Sequence, residues 1–195
     1  MDRGLSSVGR SPSKMVIPMA EFAPAAQVML LHEGCYSDNP NDLGGPTKYG
    51  ITLKFYQVAV RPTATKETIA ALGLAEALEL YRKFFWAPLG LDQLTSQTIA
   101  TKIFDMDVNM RPGQAIKLVQ EALNDLGNQV DVDGLLGPQT RAAIEASDPE
   151  GLIVKIVARQ SDFYRALVEQ NPRDEEFLVG WLERAAWPLA EKPNV

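Results

Sequence analysis

The chain has 195 residues, of which 46% are hydrophobic, and a formal net charge of −6 at pH 7. This length and apolar content suffice for one substantial core or two smaller ones, while the acidic balance argues against a nucleic-acid partner, whose binding requires a basic face. No apolar run approaches the roughly 18 residues of a membrane span. One cysteine, Cys35, excludes an internal disulfide, and one histidine, His32, disfavours a protein-built zinc site, so we expect no metal and no other cofactor.

The first 18 residues are rich in Ser, Gly and Pro and show no hydrophobic period, which predicts a mobile leader. The apolar stretch 15–20 is interrupted by Pro18 and is too short for a signal-peptide core of about seven residues or more. We therefore expect synthesis in the cytoplasm without a signal peptide, and any export needs another route.

The first helix is predicted to begin near Pro24 and to end at about Glu33 or Gly34. Glu33 is unusual because helical periodicity places it in the middle of an apolar stripe. A carboxyl group on a buried helix face loses hydration, which raises its pKa towards the range where it can donate a proton. The apolar stripe is formed by Phe22, Ala26 and Met29.

A polar loop follows this helix, and its Asp, Asn, Pro and Gly residues at 38–46 predict successive turns and a small β-hairpin within residues 35–52. Asp42 can fold back to face Glu33, with Asp38 as a competitor for that place. Cleavage of a glycosidic bond uses an acid to protonate the leaving oxygen and usually a second carboxylate as base or nucleophile. Further side chains of the loop supply hydroxyls for a water molecule and an aromatic wall, namely Thr47, Thr52 and Tyr49.

From residue 53 onward the pattern predicts helices almost throughout, each bounded by Gly, Pro, Asn or an N-capping side chain. The expected fold is mainly α, of the α+β type, with a small β element after the first helix. A composition change at Arg111 predicts an N-terminal unit at 19–111 and a helical C-terminal unit at 112–195, although both can share one core. The predicted helices are 53–60, 66–72, 74–86, 96–110, 113–126, 138–146, 149–169 and 174–187.

Spacing alone leaves a simpler alternative open, in which Glu33 is a solvated helix-terminal residue and the loop is ordinary turn chemistry. A sequence resemblance favours the catalytic interpretation. The string from His32 to Thr52 resembles the signature of the lysozyme-like muramidases of glycoside hydrolase family 108, often labelled secretion-activator proteins. The matching residues are His32-Glu33-Gly34, Tyr36, Asp38, Pro40, Asp42, Gly44-Gly45, Thr47 and Tyr49-Gly50-Ile51-Thr52.

The resemblance extends along about residues 20–187 in ordered blocks. The blocks at 81–86 and 104–109 resemble the family's aromatic-Trp and Phe-Asp-x-x-Val-Asn elements, and the block at 132–140 resembles the Asp-Gly-x-x-Gly-Pro-x-Thr element of an associated peptidoglycan-binding region. A closing pattern is similar at Arg159, Tyr164, Phe177, Gly180-Trp181 and Arg184. Two positions depart from the family pattern, Cys35 and Arg111, each standing where a glycine is common.

The resemblance implies a lysozyme-like fold and a muramidase that cuts the β-1,4 bond between N-acetylmuramic acid and N-acetylglucosamine, with Glu33 as the catalytic acid and Asp42 and Thr52 as supporting residues. It also implies peptidoglycan as the partner and the bacterial cell wall as the place of action, reached by non-standard export or lysis. We expect a monomer. The alternatives are a lytic transglycosylase and a non-catalytic wall-binding or secretion-assisting protein.

Two further side chains are candidates for substrate contact, each with a structural alternative. Trp86 is a candidate for stacking on a sugar ring, but aromatic side chains on helices more often belong to the core. Asn109 is a candidate for a hydrogen bond to an N-acetyl group or to water, and it can instead cap the end of its helix. For His32 a structural hydrogen bond is the favoured interpretation over a role as base.

Overall fold

The computed structural model describes residues 18–32 and 45–189. The predicted leader therefore lies outside the described residues except for Pro18, and so does the loop that carries Asp38 and Asp42. Helix α1 spans Phe22–His32. Strands β1 (Thr47–Lys48) and β2 (Ile51–Thr52) form an antiparallel hairpin in which Thr47 pairs with Thr52.

Helices account for nearly all of the remaining regular structure. The helical pattern predicted from residue 53 onward is confirmed, and the fold is mainly α with a small two-stranded sheet. In chain order the helices are α2 (Leu53–Ala59), α3 (Lys66–Ala70), α4 (Leu74–Tyr81), α5 (Ala87–Leu89), α6 (Gln97–Asn109), α7 (Gln114–Asp125), α8 (Pro138–Ala146), α9 (Pro149–Gln170) and α10 (Glu175–Ala186). Short 3₁₀ turns lie at Leu91–Gln93 and Pro172–Asp174.

Side-chain caps set the starts of the longer helices. The Ser96 hydroxyl accepts a hydrogen bond from the Ile99 N–H at the start of α6. The Asp148 carboxylate accepts one from the Gly151 N–H at the start of α9, where Pro149 occupies the first helical position. Such caps satisfy backbone donors that have no partner inside the helix. The boundaries predicted from these residues therefore agree closely with the structure.

One helix differs from its prediction. The segment predicted as a continuous helix over 74–86 widens into a π-helix at Arg82–Trp86, and then continues through α5. The Ala87 N–H donates to the Arg82 carbonyl, five residues back, which is the π-helical pattern. The run ends at Gly90, whose φ of +53° lies in the left-handed region that favours glycine.

Helix α6 lies at the centre of the molecule. All its residues from Ile99 to Met106 are buried, so it is enclosed on every side. Helix α1 packs along it, and α7 and α9 contact it from the C-terminal half of the chain. Aromatic rings fill the space between α1, the π-helix and α6, with Phe104 in edge contact with Phe22 and Trp86 at ring distances of 5.7 and 5.8 Å.

Buried polar contacts join α6 to α10. The Lys102 Nζ is fully buried and donates to the carbonyl oxygens of Ala185 and Trp187, both at 2.7 Å. Burial lowers the pKa of Lys102 to about 8, although Asp105 acts in the opposite direction. Arg184 forms an ion pair with Asp105, with 2.9 Å between Nη2 and Oδ1. These contacts satisfy the last carbonyls of α10 and tie both halves of the chain together.

The hydrophobic core is continuous across the predicted domain boundary. A single cluster contains Trp86 and Phe104 from the first half together with Val119 and Ile156 from the second. The division at residues 111 and 112 stays a prediction. Within residues 18–32 and 45–189, no helix combines the length and hydrophobicity needed to cross a bilayer.

Candidate functional site

The principal candidate residues lie at the end of α1 and just beyond it. Helix α1 ends at His32, so Glu33 follows its last residue in the sequence. Glu33 and Asp42 lie outside the described residues, as does the side chain of His32. The geometry of the site therefore rests on the hairpin after the loop and on the elements that hold it.

The hairpin has a tight turn with an unusual backbone. Tyr49 and Gly50 have φ values of +51° and +75°, and positive φ at both central residues is the pattern of a type I′ hairpin turn. For a bulky side chain such as tyrosine this conformation costs about 1–3 kcal/mol and persists only where surrounding contacts hold it. The Tyr81 hydroxyl donates to the Tyr49 carbonyl at 2.8 Å, and the Lys48 ammonium donates to the Ala70 carbonyl at 2.7 Å. The hairpin is thus fixed to α3 and α4.

The candidate threonines of the hairpin have different surroundings, although they face each other across the strands. The Thr52 hydroxyl oxygen accepts a hydrogen bond from the Phe55 N–H at 3.1 Å and so caps the start of α2. The Thr47 hydroxyl is buried and has no hydrogen-bond partner within the described part of the chain. A buried hydroxyl without a partner costs about 1–3 kcal/mol and calls for a functional explanation. Thr47 therefore fits a water-holding role better than Thr52 does.

This difference predicts opposite effects for two matched substitutions. Thr47→Val removes an unpartnered hydroxyl, so we expect unchanged or higher stability and about 10-fold slower cleavage of the peptidoglycan substrate that the sequence resemblance implies, the effect of one lost hydrogen bond. Thr52→Val removes a helix cap, so we expect a loss of about 0.5–2 kcal/mol in the free energy of unfolding with a smaller change in rate. Urea unfolding and muropeptide release measured on both variants check the pattern, and equal rates for both would contradict it.

The structure places Trp86 in the core. Its side chain is 3% exposed and makes edge contacts with Phe22 and Phe104. In this packing neither face of the indole is open for a sugar ring. The surroundings of Trp86 therefore agree with the alternative in which it is a core residue.

Asn109 is the last residue of α6 and is exposed. The hydrogen bond that closes this helix runs from the Met110 N–H to the Met106 carbonyl, and it does not involve the Asn109 side chain. Asn109 is therefore accessible to a ligand, in keeping with the predicted substrate contact, which stays a prediction.

One candidate was missed at the sequence level. Asp107 lies in the last turn of α6, is half-buried, and has no hydrogen bond or ion pair with any residue that the structure describes. Burial raises its pKa to about 6. Asp107 follows Phe104 by three residues, so it shares a helix face with a core residue. This spacing is the sequence signal that could have identified Asp107 as a candidate.

The region resembling a wall-binding element is held by its own hydrogen bonds. The Gln120 side-chain amide donates to Asp133 Oδ1 at 2.8 Å and accepts from the Gly134 N–H at 2.9 Å. Gly134 has a φ of +80°, and a Cβ there would lie 2.9 Å from the Gly113 carbonyl oxygen. These residues are structural in their individual roles, because they lock the connection between α7 and α8.

No group of three or more His, Cys, Asp or Glu side chains suited to a metal ion is present among residues 18–32 and 45–189.

A central buried helix, a first helix packed along it and a small anchored hairpin define a mainly α, lysozyme-like protein. Comparison with known families gives two matches. Residues 26–110 match the family described as Glycosyl hydrolase 108, and residues 114–186 match the family described as Predicted Peptidoglycan domain. The chain is thus similar to the Glycosyl hydrolase 108 family over residues 26–110 and to a predicted peptidoglycan domain over residues 114–186.

A solved structure agrees with this assignment. The chain is similar to the protein described as "Structure of Brucella abortus SagA", with a TM-score of 0.69, 26% sequence identity, and coverage of 85% of this chain and 89% of that chain. No curated protein matches the chain in sequence. The family, the peptidoglycan-binding region and the shared fold together support a peptidoglycan hydrolase.

Proposed function

We propose that the protein is an N-acetylmuramidase that cleaves the β-1,4 bond between N-acetylmuramic acid and N-acetylglucosamine, with Glu33 protonating the glycosidic oxygen. The observation that carries this proposal is the Glycosyl hydrolase 108 match over residues 26–110, because that range contains the end of α1, the residues after it and the hairpin. General acid catalysis by a positioned carboxyl group contributes about 10²- to 10⁴-fold to a rate.

The supporting residues have separate roles in this proposal. Asp42 orients or activates the attacking water, as the second carboxylate of a glycoside hydrolase does. The Thr47 hydroxyl holds that water, since the structure gives it no other described partner. Thr52 fixes the position of the hairpin through its cap on α2, and Tyr49 forms the wall of the sugar site. No step requires a cofactor.

Product analysis tests the bond and the reaction type. The purified protein is incubated with peptidoglycan sacculi, and the released fragments are identified by mass spectrometry. We expect disaccharide peptides that end in a reducing N-acetylmuramic acid. Fragments with an anhydro end would identify a lytic transglycosylase, in which the sugar's own hydroxyl attacks. The absence of any soluble fragment, together with retention of the protein on sacculi, would identify a non-catalytic wall-binding protein.

The place of action follows from the substrate. The peptidoglycan-binding region supports the cell wall as the site where the protein works. Because the body of the chain is acidic and peptidoglycan also carries carboxylates, we propose that the contact depends on specific hydrogen bonds rather than on overall charge.

A further inference from the structure

The C-terminal end of α6 combines features that destabilise a folded protein. Asp107 carries a carboxyl group that is partly removed from water, and no described residue donates a hydrogen bond or a positive charge to it. It also lies in the last turn of a helix, where the macrodipole disfavours a negative charge. Desolvation, the unfavourable helix dipole and the lack of a hydrogen-bond donor all destabilise the ionised form of the Asp107 carboxyl group. Groups kept under such conditions are found preferentially at functional sites.

The packing of α1 shows which part of the molecule this residue faces. The start of α1 lies beside the start of α6, because the Glu21 N–H donates to Gln97 Oε1 at 2.7 Å and Gln97 Nε2 donates to the Glu21 carbonyl at 2.9 Å. The helices then stay packed along each other. The ring of Phe22, the first residue of α1, packs against Phe104 at 5.7 Å, so α1 reaches the part of α6 that lies three residues before Asp107.

The hairpin is connected to the same side of α6. Asp107 shares a helix face with Phe104, three residues earlier. The Phe104 ring packs against Tyr81 at 6.1 Å, and the Tyr81 hydroxyl holds the Tyr49 carbonyl in the hairpin turn. The hairpin and the C-terminal half of α6 are therefore linked through this aromatic contact, which the start of α1 joins through Phe22.

We propose that Asp107 is a further acidic residue of the glycan-cleaving site, beside Glu33 and Asp42, and that its carboxylate accepts hydrogen bonds from hydroxyl or amide N–H groups of the bound glycan strand. This inference rests on the proposed function. A desolvated acceptor without a donor suits a ligand rich in O–H and N–H donors, and hydrogen bonds to an ionised carboxylate are the strong ones. The glycan backbone of peptidoglycan offers donors of this kind, and α6 then forms the wall of the site on its C-terminal side.

Asp107→Asn tests the proposal, with Glu79→Gln as the control because Glu79 is an exposed carboxylate on α4, outside the peptidoglycan-binding region. We expect Asp107→Asn to raise the melting temperature by a few degrees at pH 7, because the cost of the buried charge is removed, and to slow muropeptide release at least 10-fold. The control should leave both quantities unchanged within error. A stabilised Asp107→Asn variant with wild-type release would overturn the proposal, and so would a lowered melting temperature, which would make the carboxylate a structural group.

A parallel measurement on Glu33→Gln separates this inference from the function on which it rests. If Glu33→Gln is inactive and Asp107→Asn is fully active, only the assignment of Asp107 fails. If Glu33→Gln releases fragments like the wild type, the proposed function itself fails.

Discussion

Glu33→Gln is expected to stop the release of soluble fragments from purified peptidoglycan, with a loss of about 10²- to 10⁴-fold, the usual contribution of a general acid. Glutamine matches glutamate in size and can still form hydrogen bonds, but it has no proton to give to the leaving oxygen. Loss of turbidity of a sacculus suspension gives the rate, and chromatography of the supernatant confirms that fragments are absent.

Two controls give this result its meaning. Binding of Glu33→Gln to sacculi, measured by co-sedimentation, should equal that of the wild type, because the peptidoglycan-binding region at 114–186 is unchanged. Glu79→Gln removes an exposed carboxylate on α4 and should keep full activity. Clearing of the suspension by Glu33→Gln at the wild-type rate would exclude Glu33 as the acid.

Local sequence patterns were sufficient for most of the fold. The α6 and α9 boundaries follow from capping residues and hydrophobic period, since Ser96, Asp148 and Pro149 act only on their own helix. The π-helix at Arg82–Trp86 could not be predicted from the sequence, because the apolar residues there fit an α-helical period equally well. In the π-helix the rings of Phe84 and Trp86 pack against Phe55 and Phe104, which lie outside this segment of the chain. Contacts of this kind have no signature in the local sequence.

The candidate site was predictable in its residue types but not in the division of roles. Thr47 and Thr52 both looked like water-holding hydroxyls, although Thr52 immediately precedes a helix and so carried an N-cap signal. The unpartnered state of the Thr47 hydroxyl depends on the surrounding packing and has no local signature. For Trp86 the sequence left both alternatives open, and only the ring contacts distinguish them.

Buried charges were the part that the sequence could not indicate. Lys102 and Asp105 are charged residues in a helix that reads as amphipathic, so the natural expectation is a solvated face. Both are fully buried because their partners come from α10, about 80 positions later in the chain. Residues so far apart in sequence meet only after the chain has folded, and no local rule relates them.

The ion pair between Asp105 and Arg184 predicts a large effect on stability. Asp105 is 0% exposed and the Arg184 side chain 13% exposed, so removing the guanidinium takes a close positive charge away from a fully buried carboxylate. We expect Arg184→Met to lower the free energy of unfolding by about 3–5 kcal/mol, the usual cost of breaking a buried pair from one side. Urea unfolding followed by circular dichroism measures this loss.

A double variant and a surface ion pair show whether burial of the pair causes the stability loss expected for Arg184→Met. Asp105→Asn combined with Arg184→Met removes both charges of the pair, so it should recover part of the stability lost in the single variant, because the buried carboxylate is gone while the buried Lys102 ammonium loses the nearby Asp105 charge. Arg159 pairs with Asp125 at the surface, where both side chains are at least 30% exposed, and Arg159→Met should cost only about 0–1 kcal/mol. Equal losses for Arg159→Met and Arg184→Met would show that burial does not govern these pairs. A double variant no more stable than Arg184→Met would instead assign the loss to the packing of the arginine side chain between α6 and α10.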